Sequence, residues 1–332
     1  MRIRRLPVAL LIVFSLVLLC ATKAAAQPPA RTSLVPGKLL IYYGWPSAID
    51  GANGDVAAAS RSFEPFDWIV LGDGLQDPKH GDHAKTKQII ATIGRSPRKV
   101  FGYVPIGRKG PNLSVEEIRR RVLAWKAIGA RGVLLDEFGY DFDVTRQRQN
   151  DAVQAVHDAG LTVLANAWNP DDAWSSAVHP RGNPDGVATR LAARDAYLLE
   201  SFVIMNGQWD VARRWLDKAR QVQALQQRIP FSAVSVSTSD SDAPPDPAKL
   251  RSAWLAAAAF EHQAYGWSAL NYGAGNSRSA PSTRPEVAKA LGERFTGPPR
   301  ITDGVLIRPM SNRQELWIDT GTRESGVRAM GQ

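Results

Sequence analysis

Two apolar runs in this sequence end on acid. "GVLLDEF" (132–138) places Asp136 and Glu137 directly after Leu135, and "AYLLESFVI" (196–204) places Glu200 directly after Leu199. A carboxylate that continues a buried strand pays a large desolvation cost unless it is paired or opens onto water. Other apolar runs end on aromatic and amide residues: Tyr43, Trp45, Tyr103, Asn166, Trp168, Trp267, Asn271 and Tyr272, with Asp73 closing one more. Two or three carboxylates among aromatic rings are what glycosidic bond cleavage needs. One acid protonates the leaving oxygen, a second carboxylate acts as base or nucleophile, and flat faces stack on sugar rings. On this reading Glu200 is the candidate general acid/base, Asp136 the nucleophile or stabilising carboxylate, and Glu137 the group that orients it or raises its pKa, the sequence leaving the roles of Asp136 and Glu137 interchangeable. The aromatics, amides and Asp73 are the candidate substrate-binding residues. The competing reading is structural: Asp136 or Glu137 paired with Arg131, Glu200 in a buried ion pair, and Asp73 shaping the "LGDG" turn.

Other chemistries find no support. "HGDH" (80–83) has two histidines on a Gly-containing loop without further ligands, and reads as a helix start capped by Asp82. "DFDV" brings Asp141 and Asp143 near the same strand end, but the twelve-residue calcium-loop pattern is absent. There is no G-x-S-x-G elbow, no phosphate-binding loop and no dinucleotide fingerprint. No metal and no cofactor is expected.

Eight strand candidates would position these residues: 38–45, 67–73, 99–106, 132–138, 162–168, 196–204, 231–237 and 266–273. Amphipathic segments separate them, the clearest at 114–128, with Ser114 as cap and Glu117 at the capping-box position. Gly129 and Gly160 fall where helices should stop, and "NPDD" (169–172) should start another through Asp171 or Asp172. Strand then helix, repeated eight times, predicts an α/β fold, the TIM (β/α)8 barrel over 38–300, with a doubly wound open sheet as its rival. Residues 301–332 predict a short C-terminal β-hairpin extension packed on that barrel. In a TIM barrel the strand C-termini build the active site, so the acids above would share one mouth.

The first 26 residues differ in kind. Arg2, Arg4 and Arg5 precede the apolar run "LPVALLIVFSLVLLC", and "ATKAAAQ" supplies small residues for cleavage near Ala26. This predicts a secretory signal peptide, a Pro-rich tether over 27–37, and a secreted or periplasmic protein without a membrane span after cleavage. Cys20 lies inside the signal, so the mature chain has no thiol. Removing the signal also takes four of the +9 formal charges, at Arg2, Arg4, Arg5 and Lys23. The modest remainder, without a basic stripe, does not predict nucleic-acid binding. A polysaccharide partner and a monomer are expected.

The tyrosine-rich first strand, "VFGYVPIG", "GARGVLLDEF", "VLANAWNP" and the strand-six glutamate together resemble the spherulin-4-like family and its relatives, the endo-α-1,4-polygalactosaminidases. The resemblance spans most of 38–273. It implies a TIM-barrel glycoside hydrolase that cleaves internal α-1,4 linkages in a galactosamine- or N-acetylgalactosamine-containing matrix polysaccharide, with Asp136, Glu137 and Glu200 at the acidic positions. The stretch "GDGLQDPKHGDH" has no counterpart in that pattern. The alternative from another class is a barrel that binds such a polysaccharide without cleaving it.

Overall fold

A computed structural model describes residues 33–94, 98–268 and 285–331. Eight parallel strands close into a barrel: β1 (Gly37–Tyr42), β2 (Trp68–Leu71), β3 (Lys99–Pro105), β4 (Gly132–Asp136), β5 (Thr162–Ala165), β6 (Ala196–Leu199), β9 (Ser232–Ser237) and β10 (Ala264–Trp267). They are joined by α1 (Val56–Phe63), α2 (His83–Ile93), α3 (Val115–Ala127), α4 (Arg146–Asp158), α5 (Pro170–Trp174), α6 (Arg214–Gln226) and α7 (Pro247–Ala259). A small hairpin, β7 (Ile204–Met205) with β8 (Gln208–Trp209), follows β6. The strand expected over 196–204 thus ends at Leu199, because Ser201 and Val203 take left-handed φ of 54° and 65° and turn the chain.

Alternation along the strands sorts side chains into two cores. Leu39, Ile41, Val70, Phe101, Leu134, Leu164, Leu198, Val234 and Val236 fill the barrel interior. Their neighbours Leu40, Ile69, Val100, Val133, Val163, Tyr197 and Ala233 face the helices. This parity decides which strand-end residues reach the mouth.

The helix signals act largely as expected. Ser114 accepts from the Glu117 N–H at 3.1 Å, and Gly129 and Gly160 have φ of 101° and 73°. Three details differ. The Glu117 carboxylate pairs with Arg120 and Arg121. Asn169, not Asp171 or Asp172, caps α5. Asp82 precedes α2, but its carboxylate accepts from Ser47 N and Oγ at 2.9 and 2.5 Å, a long-range use that sequence spacing does not reveal.

Asp195 ties three elements together. Fully buried, it accepts from Val163 N at 2.9 Å and Ala192 N at 2.8 Å, and lies 3.0 Å from His157 Nε2. Asp195→Ala orphans two amide donors and is expected to cost about 2–5 kcal/mol. Urea unfolding should show a lower midpoint at unchanged slope; an unmoved midpoint would refute the assignment.

The C-terminal extension is antiparallel and has four strands where a hairpin was expected: β11 (Arg300–Thr302), β12 (Val305–Pro309), β13 (Gln314–Asp319) and β14 (Ser325–Ala329). It explains why α7 is apolar nearly all round, with Ala253 to Ala259 all buried. One face of α7 meets the barrel and the other meets this sheet. Arg308 pins the two together, donating to the Ala259 carbonyl and, at 2.6 Å, to Glu261. Ser252 Oγ lies 2.7 Å from Ser325 Oγ.

Candidate active site

The inward alternation of the strands, followed to their C-terminal ends, lands on a ring at the barrel mouth. Ile41 leads to Tyr43, Phe101 to Tyr103, Leu134 to Asp136, Leu164 to Asn166, Leu198 to Glu200, Val236 to Thr238 and Ala264 to Ser268. A pocket of about 610 Å³ opens there. Asp136, Glu137, Asn166, Trp168 and Glu200 line it, as do Thr238 and Ser268.

Asp136 sits at its floor. Its carboxylate accepts from the Tyr103 hydroxyl and the Glu137 N–H, and burial, reinforced by the charges of Glu200 and Glu137, pushes its pKa up to about 6. Burial and the adjacent Asp136 hold the Tyr103 phenol well above its ordinary range, so Tyr103 remains a donor. Tyr43 meets the Tyr103 ring edge-on at 5.3 Å and backs this pair. Across the pocket Glu200 Oε2 accepts from Asn166 Nδ2 at 3.1 Å, so the β5 amide orients the β6 carboxylate.

Glu137 leaves the strand with φ of 55°. By alternation its side chain would face the helices; the left-handed turn swings it toward the pocket. Such a conformation costs about 1–3 kcal/mol. It is held by flanking backbone bonds from Ile106 N to the Asp136 carbonyl (3.0 Å) and from Phe138 N to the Asn166 carbonyl (2.9 Å). The side chain lies against Gly107, where any Cβ would collide with its carboxylate. Its Oε2 is buried and has no hydrogen-bond partner among the described residues.

Of the residues expected to bind substrate, Tyr43 and Tyr103 stand behind Asp136 without lining the pocket, and three more lie away from it. Asp73 has the outward parity of Ile69 and Leu71, and both its oxygens lie 2.8 Å from Arg121 Nη1. Trp267 shares the outward parity of Tyr265 and is buried against the helices. Trp45, 55% exposed, leans on His80 and Gly81. Asn271 and Tyr272 lie outside the described residues. Trp168 does line the pocket, and Lys218 of α6 sits 3.1 Å above its ring. Burial lowers the Lys218 pKa to about 8, with Glu200 pulling the other way.

Sequence reasoning missed Lys218, and also Met205, Asn206, Ser239 and Asp240, which the loops after β6 and β9 bring to the pocket. Thr238 and Ser268 were within reach of the alternation argument. The loop residues were not, since their placement depends on long-range bonds such as Asn206 N to Thr238 Oγ1 at 2.9 Å. The "HGDH" histidines serve local structure, His80 Nδ1 accepting from Asp82 N and His83 Nδ1 lying 2.9 Å from the Leu75 carbonyl. Among the described residues no group of three or more His, Cys, Asp or Glu side chains could hold a metal ion.

No family model and no curated protein matches the chain. Solved structures do match in fold. AmyP in complex with maltose aligns at 10% identity over 85% of this chain and 86% of its own, with a TM-score of 0.53. Eubacterium rectale Amy13B aligns at 8% identity over 89% and 88%, with a TM-score of 0.51. The glycoside hydrolase domain of PelA from Pseudomonas aeruginosa aligns at 15% identity over 74% of this chain and 97% of its own, with a TM-score of 0.40. The first two likenesses agree with the closed eight-stranded barrel.

Proposed function

We propose that this protein is a glycoside hydrolase, acting outside the cytoplasm, that cleaves internal α-1,4 linkages in a galactosamine-containing matrix polysaccharide. The observation that carries the proposal is that Asp136 and Glu200, from strands two apart, face one solvent-open pocket and are each oriented by a neutral donor. A TIM barrel alone hosts many chemistries, so the reading rests on these side chains and not on the fold. It is in keeping with the aligned AmyP, solved in complex with maltose.

Asp136 attacks the anomeric carbon while the glycosidic C–O bond breaks and Glu200 protonates the departing oxygen. Glu200 then deprotonates a water that displaces Asp136. The short Asp136 side chain, held by two donors, suits the fixed nucleophile, and the longer Glu200 side chain suits the proton carrier. Among the described residues five carboxylates line the pocket, Asp136, Glu137, Asp141, Glu200 and Asp240, and no lysine or arginine does, with Lys218 standing over the Trp168 ring. That field favours a polymer whose amino groups are free and protonated over a fully N-acetylated or acidic one.

The test is oligosaccharide release, read by mass spectrometry, from α-1,4-galactosaminan, its N-acetylated form and α-1,4-glucan. Release from the first in preference to the others supports the reading; retention of polymer without release from any would favour a binding barrel. The pH profile checks the nucleophile. Asp136 must be ionised to attack, so kcat/KM should fall as pH drops below about 6, approaching tenfold per pH unit. A flat profile between pH 4 and 7 would exclude Asp136 from that role.

A further inference from the structure

The opposite end of the barrel holds a second cavity, of about 340 Å³. Its floor is the stacked pair Trp68 and Phe101, with centroids 5.3 Å apart and planes 10° off parallel. Four cations surround it, Arg98, Lys99, Arg131 and Arg194. Topology brings them together: Lys99 opens β3, Arg131 precedes β4 and Arg194 precedes β6, with β5 between the last two, so the strand starts on one side of the barrel deliver their charges to one rim.

Among the described residues no carboxylate lines this cavity. The nearby Asp195 is consumed by Val163 N, Ala192 N and His157, and Asp67 accepts from Lys38 N at 2.7 Å. Arg98 is fixed by two bonds to the Glu64 carbonyl, at 2.9 and 2.6 Å. The Lys99 ammonium stands 4.1 Å over the Trp68 ring. Among the described residues the guanidinium groups of Arg131 and Arg194 have no acceptor. Like charges around one concavity repel one another and focus a positive potential into it. Planar guanidinium forks match carboxylate and phosphate oxygens. The volume equals about ten waters, more than a bare oxyanion fills. The Thr162 hydroxyl and the rim around Trp68 leave polar contact and room for the rest of a ligand.

We propose that this cavity binds an anionic saccharide unit, a pyranose bearing a carboxylate or a phosphate, through Arg131 and Arg194. The site is separate from the acidic pocket and does not depend on the hydrolase reading. Calorimetric titration of the protein at low salt with glucuronate, glucose 6-phosphate, inorganic phosphate and glucose tests it. Glucuronate or glucose 6-phosphate should bind at least tenfold tighter than glucose and inorganic phosphate, and the stronger of the two identifies the oxyanion. The double variant R131Q/R194Q should lose at least tenfold of that affinity while its thermal midpoint without ligand stays unchanged, since neither side chain has an internal partner. Binding that survives in the double variant would overturn the proposal. So would inorganic phosphate binding as tightly as the saccharides, or no binding by any probe.

Discussion

Glu200→Gln is expected to lower kcat on the polymer by about 10²–10⁴-fold, the usual range for removing a general acid/base, with KM nearly unchanged. Glutamine keeps the length of the side chain and can still accept from Asn166 Nδ2, so the pocket keeps its shape. What is lost is the proton for the leaving oxygen. The size of the loss should therefore depend on the substrate: an aryl glycoside whose leaving group needs little protonation should suffer much less than the polymer in the glycosylation step. Kinetics on both substrates, with polymer affinity measured separately, check this. A uniform loss on both, or a loss confined to affinity, would place Glu200 in binding and not in proton transfer.

Asp136→Asn is expected to abolish turnover and to make the protein more stable at pH 8. The folded-state pKa of Asp136, about 6, lies above the ordinary 3.8. The native state therefore binds the proton more tightly than the unfolded chain, and stability falls as pH rises through about 4 to 6 and stays lower above it. Asparagine removes that charge while still accepting from Tyr103 and the Glu137 N–H. The gain should be about 1–3 kcal/mol, the lower end applying because pocket water partly solvates the carboxylate. At pH 4 or below it should vanish, since the wild-type carboxyl is itself protonated there. Thermal unfolding of both proteins at pH 4 and pH 8 measures it. A variant that is less stable at pH 8 would mean that the charge of Asp136 is compensated and not stored. Treating Asp136→Gly with azide adds a chemical check, because a nucleophile's loss can be rescued as a glycosyl azide.

The residues that carry the site were legible because acid at the end of an apolar run is locally costly, and the barrel mouth is where that cost is relieved. The eight strand segments and their order were legible for the same kind of reason: alternation and helical spacing are written within a dozen residues. Ser114, Gly129 and Gly160 belong to this local class, and each acts where its sequence position suggests. Asp73 and Trp267, by contrast, stand near strand ends without reaching the mouth. Their parity along the strand sends them outward, to Arg121 and to the helix layer.

By itself, then, the sequence determined a barrel of alternating strands and helices and the carboxylates at its mouth, because both follow from short-range pattern and desolvation. Only the tertiary structure decided how those carboxylates are tuned: the burial and neighbouring charges that raise the Asp136 pKa against the pull of the Tyr103 bond, the left-handed turn at Glu137, and the Asn166 amide on Glu200. It also decided that Asn206 and Asp240 join the pocket from distant loops and that Lys218 of α6 stands over the Trp168 ring. The C-terminal residues become a four-stranded sheet covering α7. The physical reason is common to all of these. Each depends on groups far apart in the chain being brought within bonding distance, and barrel closure is what sets those distances.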